Sequence, residues 1–322
     1  MRNTLKAATL ESKFPLLAVE ADCIISKDAD ITAVFEVDLP ELFTVTAAEY
    51  EAIHAAWAKA IKVLPNYTVV HKQDWFIRED YRSQTDKENL SFLSRSYEMH
   101  FNERPFLNHK CYLYLTKTTK ERMRMQSSFS SLCRGFIIPK EVDKDTTAHF
   151  LDTVGQFARI VNDTGLVRLR RLGGDEITGT EDKAGLVEKY FCLSMENTTA
   201  LEDIELGDDG LRVGDKHVSV HTLSELDALP NKVGTDCRYE RLSTDKSDCK
   251  LSFASPVGLL LSCNHLYNQY IFLDDSGENL QRFEKSARNM QSLSKYSRSN
   301  QINKEWICLL YTSPSPRDMR RS

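Results

Sequence analysis

Two partly alternating apolar segments, LLAVEADCII and ITAVFEVDL, stand close together near the start of the chain, separated only by SKDAD (26–30). Alternation over such a length is the mark of half-buried strands, and Ser, Asp and Lys in between supply turn chemistry. So short a connection can join only antiparallel strands, because a parallel pair needs a crossover of a dozen residues or more. Phe14 to Asp38 is therefore predicted as a β-hairpin.

The pattern then switches period. Thr46 and Glu49 have capping-box spacing, and Tyr50, Ile53, Trp57, Ile61 and Leu64 follow on one helical face until Pro65 and Asn66 stop the helix. YTVVHKQDWFI (67–77) and CYLYLTK (111–117) read as strands, with a polar stretch between them that becomes helical from about Lys87. A second amphipathic helix is predicted from about Asp145 to Val161, with Phe150, Val154, Phe157 and Ile160 as its apolar stripe. LVRLRRL, a glycine turn and a short helix at Leu186 to Phe191 follow. The run from Ala200 to Leu223 has the Asp-Asp-Gly and Gly-Asp-Lys turns of a β-meander. PVGLLLSC and YNQYIFLDD read as buried segments, and Ser276 to Trp306 as a helix broken near 297–300. Helices and strands mix without regular βαβ spacing. The expected fold is α+β: mixed, mainly antiparallel sheets with packed helices and a long C-terminal helical segment.

At 322 residues the chain is just past the size at which one core stops growing, so two subdomains are expected. The division is placed near Gly165, giving 1–165 and 166–307, with 308–322 as a disordered tail. A net charge of -5 argues against a surface built to coat nucleic acid, and no specific nucleic-acid site is visible. The longest apolar runs, Val257 to Leu261 and Trp306 to Tyr311, are far shorter than the roughly 20 residues that span a bilayer. The first residues lack the apolar centre of a secretory signal, so a cytoplasmic location is expected. Eight cysteines without a CxxC pair read as buried, reduced thiols.

Several short patterns invite a catalytic reading. RLGGDEITGT (171–180) resembles the GGDE turn of diguanylate cyclases, but only nine residues separate Asp163 from Gly173, where that fold needs a helix and a strand. A Gly-Gly turn with solvated acids is the competing reading, and Asp175 and Glu176 are retained as one candidate acidic site. His217 and His221 lie four apart, which would suit a metal on a helix, yet the alternation around them argues for a strand. Cys263 and His265 form a second candidate site; the alternative is a hydrogen-bonding corner that fixes packing. RLRR (168–171) and the basic positions 282, 285, 288, 295 and 298 read either as solvated faces or as docking sites for a partner or acidic lipid headgroups. No G-x-x-x-x-G-K-[ST] occurs, and none of the 13 glycines precedes a lysine. No phosphate loop can be built from such a sequence.

Longer stretches carry a more specific likeness. The segments 1–41, ITGTEDKAGLVEKYFCLS (177–194), 241–275 and FEKSARNMQSLSKYSRSNQINKEWI (283–307) closely resemble the N-terminal region of TraG-family conjugation ATPases, the motors of conjugative-transposon type IV secretion systems. In that family a RecA-like ATPase domain with the phosphate loop follows this region. The resemblance therefore implies a non-catalytic docking and assembly domain, cut before its motor half, with no catalytic, cofactor or metal residue to carry over. ATP and Mg²⁺ are expected only in the missing domain. Implied partners are inner-membrane secretion-channel proteins, with self-association in the full-length protein and a peripheral position at the inner membrane. CLLYTSPSPRD (308–318) looks like the translation of a transposase adapter used in sequencing libraries. The alternatives are a self-contained enzyme using Asp175 and Glu176 or Cys263 and His265, and a standalone scaffold of the same secretion system.

Overall fold

The computed structural model describes residues 14–41, 44–80, 91–102, 104–119, 144–195, 202–207, 210–222, 237–240, 243–246, 248–251 and 261–293. The chain forms two compact units, Met1–Phe272 and Leu273–Ser322. The expected tail at 308–322, the basic positions 295 and 298, and most of PVGLLLSC lie outside the described residues.

The first unit is organised by a seven-stranded sheet in the order β1-β2-β3-β5-β4-β14, with β6 also paired to β3. Strands β1 (Leu16–Glu20), β2 (Cys23–Ser26) and β3 (Ile31–Asp38) form a meander where the sequence suggested a single hairpin. The first apolar segment breaks at Ala21 and Asp22, which both take positive φ, 50° and 57°, and reverse the chain between the paired residues Glu20 and Cys23. Two such residues twist as the flanking strands do, so the turn fits, although neither residue is the usual Gly or Asn. β4 (Thr68–Glu79) and β5 (Phe106–Lys117) make a twelve-residue antiparallel ladder, longer than the alternation alone indicated. β6 (Arg168–Arg171) returns to β3. β14 (His265–Leu273) lies beside β4 and ends the sheet order. Strand pairing thus runs across the position near Gly165 at which the sequence suggested a division.

Helices cover the sheet. Helix α1 (Ala47–Val63) opens with both halves of the capping box: Thr46 Oγ1 accepts from Glu49 N, and Glu49 Oε2 accepts from Thr46 N at 2.8 Å. It packs on α3 (Lys144–Asn162), where Trp57 meets Phe157 edge-on at 5.7 Å. The buried stripe of α3 is Phe150, Val154, Phe157 and Val161, so Val161 takes the inward place expected for Ile160. Helix α3 also packs on β3 and β6, and Ala33, Phe35, Val37, Leu113 and Leu115 form one buried face of the sheet. Against the other face lie Ile177 of α4 (Gly174–Thr178) and Leu186 of α5 (Leu186–Cys192), in a cluster with Ile24, Val34, Trp75, Tyr112 and Leu172. Helix α2 (Phe92–Asn102) joins β4 to β5 and exposes Phe92, Leu93, Tyr97 and Met99.

The expected meander is present as β9 (Ile204–Gly207), β10 (Gly210–Val213) and β11 (Lys216–Val218). Lys216 Nζ donates to the Cys192 carbonyl at the end of α5, satisfying an acceptor that a helix C-terminus leaves open. Short ladders complete the described strands: β7 (Gly179–Thr180) with β8 (Lys183–Ala184), and β12 (Cys237–Arg238) with β13 (Lys250–Leu251). In the second unit, α6 (Ser276–Leu293) starts with Asp275 Oδ1 accepting from Glu278 N, and Arg282, Lys285 and Arg288 lie on its exposed surface.

The architecture is α+β with mainly antiparallel sheets, as the sequence indicated. No described helix is long and apolar enough to cross a membrane.

Candidate functional site

Glu176 and His265, first suspected of chemistry, make hydrogen bonds that hold local structure. Gly173 and Gly174 open a helix rather than a turn. Glu176 Oε2 accepts from Gly173 N at 3.1 Å, and Asp22 Oδ1 accepts from Gly174 N at 2.7 Å. These carboxylates occupy the backbone donors that a phosphate would need. Arg170 donates to Glu176 and to Glu36, and these bonds raise its affinity for its proton while the same guanidinium lowers the Glu176 carboxyl. Asp175 stands exposed beside them. Glu188 repeats the device at α5, accepting from Gly185 N at 2.9 Å.

Cys263 and His265 do not form a nucleophile and base. His265 Nδ1 donates to the Cys263 carbonyl at 2.8 Å, and its ring stacks on Phe76 at 4.6 Å. His217 is exposed on β11, and His221 beyond it pairs with Ser219 at 3.0 Å. No group of His, Cys, Asp or Glu able to hold a metal occurs among the described residues. Cys23, Cys111, Cys192 and Cys249 are buried, and Cys263 is exposed. Burial pushes the Cys111 thiol well up, against the charge of Lys72, which is the opposite of an activated thiolate.

The densest polar constellation instead fastens β14 to β4. Gln73 is its centre and is almost fully buried. Its Oε1 accepts from Trp75 Nε1 at 2.8 Å and from the Tyr114 hydroxyl at 2.9 Å, and its Nε2 donates to Asn268 Oδ1 at 2.8 Å. That oxygen also accepts from His71 Nε2 at 2.9 Å. Since a carboxamide oxygen only accepts, His71 carries its proton on Nε2. Burial lowers the His71 pKa, partly offset by the Asn268 bond, so the ring is neutral near pH 7. Beyond it, Asn264 Oδ1 accepts from the Arg78 backbone at 2.7 Å.

Rings reinforce the seam on both faces of the sheet. On one face Tyr114, His71, Tyr270 and Phe272 stack in a near-parallel row with centroids 4.9, 4.1 and 6.2 Å apart. On the other, Phe76 is sandwiched between His109 and His265 at 4.6 Å each. Under that second row Asp74 accepts from His109 Nε2 at 2.9 Å and from Lys72 Nζ. Burial alone would raise the Asp74 carboxyl, but the His109 bond together with the charge and bond of Lys72 outweighs it, so the pKa is lowered. Contacts fall in opposite chain order, His265 with Phe76 and Tyr270 with His71, so β14 runs antiparallel to β4.

The strand so anchored is not buried as the sequence suggested. Tyr270 is 54% exposed, Ile271 45% and Phe272 49%. The nine residues HLYNQYIFL contain no Lys, Arg, Asp, Glu or Pro. Edge strands are usually blunted by such residues, and a long uncharged edge invites another strand. The hydrogen-bonding corner at 263–270 read from the sequence is present, and it fastens the strand that ends the sheet among the described residues. The polar run HKQDW inside a strand (71–75) was the signal that could have located it.

The class these features define is an α+β chain with a built edge strand and no assembled catalytic centre among its described residues. Comparison with known proteins adds one likeness: residues 3–55 match a family model described as "Domain of unknown function, B. Theta Gene description (DUF3875)". The match takes in β1 to β3 and the first half of α1. No curated protein matches the chain.

Proposed function

We propose that this chain is a non-catalytic docking and assembly part of a conjugative DNA-transfer ATPase of the TraG type, working in a type IV secretion system. The observation that carries the docking half of this reading is β14, the last strand of the sheet among the described residues: an uncharged strand with half-exposed aromatic residues, fastened by the Gln73 network. Rigid, amphipathic Tyr-rich surfaces suit protein recognition, because they offer contact area at little entropic cost. The non-catalytic half is supported by the absence of a phosphate loop from the sequence, and by the roles of Glu176 and Asp22 as ligands of a helix start. The conjugation context rests on the sequence resemblance alone. The partners proposed are inner-membrane channel proteins, with the chain peripheral to the membrane through them.

The test is co-expression of the full chain with the channel proteins encoded beside it, and an ATPase assay with Mg²⁺. Co-elution with a channel subunit and no turnover above background is expected. Turnover that survives removal of contaminating ATPases and is lost in Asp175→Ala/Glu176→Ala would overturn the reading. So would failure to bind every channel subunit.

A further inference from the structure

We infer that Lys110, Lys183 and Lys189 form a binding site for a phosphoryl group, gripped by three ammonium groups brought together from three elements of the fold. This goes beyond the docking reading and does not depend on it.

Each lysine stands on a fixed part of the first unit. Lys110 lies on β5 directly opposite Trp75 of β4, so it shares the sheet face that Trp75 and Tyr112 present to α5. On α5, Tyr190 meets Trp75 edge-on at 6.2 Å, and Lys189 is its neighbour in the chain. Lys183 belongs to β8, whose hairpin with β7 leads straight into α5. That hairpin lies so close to the helix start that a Cβ on Gly185 would collide with the Gly179 backbone. Lys183 is exposed, Lys110 and Lys189 are half-buried, and Tyr190 beside them is 48% exposed, so the cluster opens to solvent.

The electrostatics of the cluster favour an anion. Burial disfavours the charge on Lys189, and Lys110 and Lys183 add to that. Glu36 opposes them with the weakest effect of the four, so the Lys189 pKa is lowered. Glu36 acts on Lys189 and Glu176 on Lys183, but both carboxylates already accept from Arg170. Among the described residues, none of the three ammonium groups closes an ion pair. Like charges held together at half-buried positions cost stability, and a bound polyanion restores it.

The form of the cluster selects the anion. A phosphoryl group carries about two negative charges and three acceptor oxygens, one for each ammonium. A carboxylate has one charge and two oxygens in a plane, which match a guanidinium fork better than three separate ammonium groups. Because Lys110 and Lys183 converge on Lys189 from different elements, a single compact group fits better than a long acidic chain. Two sources present such a group: a soluble phosphate ester, and a monoester headgroup at a lipid surface.

The experiment titrates the full chain with inorganic pyrophosphate, by calorimetry and thermal melting, and with phosphatidylcholine vesicles with or without phosphatidic acid. Saturable pyrophosphate binding with a Kd below about 1 mM is expected, weakened at least about tenfold in Lys183→Gln and in Lys189→Gln. Lys183 is exposed, so its replacement leaves the fold intact. Without the anion, Lys189→Gln should melt no lower than the parent, because it removes a repelled, half-buried charge. Pyrophosphate should raise the melting temperature of the parent and not of this variant. Succinate should do neither. Lysine-dependent binding to the phosphatidic acid vesicles as well would place the group on a lipid; pyrophosphate binding without it would place the group on a soluble ester. No saturable pyrophosphate binding, binding indifferent to both substitutions, or succinate bound equally well would each overturn the proposal. A DNA duplex held by these lysines while pyrophosphate is not would overturn it too, in favour of a nucleic-acid surface.

Discussion

Replacing Gln73 with Met keeps the length of the side chain and deletes its polar atoms. In the native chain Gln73 accepts from Trp75 Nε1 and the Tyr114 hydroxyl and donates to Asn268. Trp75 is fully buried, so its N–H has no route to water once Gln73 Oε1 is gone. Each buried donor left without a partner costs about 1–3 kcal/mol, and two donors lose their acceptor. The Met side chain recovers less than about 1 kcal/mol by burying apolar surface in place of the carboxamide. The two donors together cost about 2–6 kcal/mol, so the net loss is about 1–5 kcal/mol. Urea unfolding reads this directly: with a slope near the upper end of the range of about 1–3 kcal/mol/M, the midpoint falls by about 1 M. Asn268→Ala removes only the outer end of the network and should cost less, about 1 kcal/mol. The two changes share a hydrogen bond, so the double variant should be less destabilised than the sum, by at least about 0.5 kcal/mol. A midpoint shift below about 0.2 M for Gln73→Met, or strict additivity with Asn268→Ala, would show that the network does not hold the strand.

Acid should act on the seam in two stages. The His71 pKa is lowered in the folded chain, so stability is complete above the unfolded value of about 6.5 and declines as pH falls below it; NMR titration of the ring and urea midpoints from pH 8 to 5 check this. The Asp74 pKa is also lowered, so its contribution is present above about pH 3.9 and lost as pH falls through the folded value; Asp74→Asn should be less stable at pH 7 and flatten that acid limb. Ala21→Gly should stabilise the chain by about 0.5–1 kcal/mol, since an L-residue with a side chain is disfavoured in the left-handed region; an unchanged urea midpoint would argue against the turn geometry. Gly185→Ala should destabilise by about 1–3 kcal/mol or more, because a Cβ there would collide with the backbone of Thr178 and Gly179, and soluble yield and thermal melting report it.

The elements that were legible in sequence are those whose signals are local and redundant. Helix α1 announces itself twice, by an apolar stripe and by Thr46 and Glu49, and both halves of its cap form. The strands β4 and β5, though not their pairing, and the meander of β9 to β11 were legible from apolar pattern and turn residues. The split between β1 and β2 escaped because Ala21-Asp22 has no Gly or Asn to mark a two-residue turn with positive φ; the reversal is held from outside, by Asp22 on the α4 start and by Arg171 reaching the Asp22 carbonyl. GGDE looked like a turn because its helix has only 5 residues and its cap is a carboxylate reaching back to a glycine, a pattern without Ser, Thr, Asp or Asn at the cap position.

The misreading of β14 has a deeper cause. Apolar composition reports that a segment prefers to leave water, and it cannot say whether the cover comes from its own chain. In β14, Leu266 meets the core around Trp75 while Tyr270, Ile271 and Phe272 stand half in solvent, although the same alternation describes them all. What separates the two cases is the neighbour strand, and that neighbour is chosen nearly two hundred residues away by Gln73 and His71. A polar residue inside a strand is the usable signal. HKQDW (71–75) sets polar groups in the middle of a strand, where the buried ones must be satisfied, and their partners Asn268 and Tyr270 sit on the strand that ends the sheet among the described residues. Buried polar atoms in one strand thus locate a second strand that composition alone misplaces.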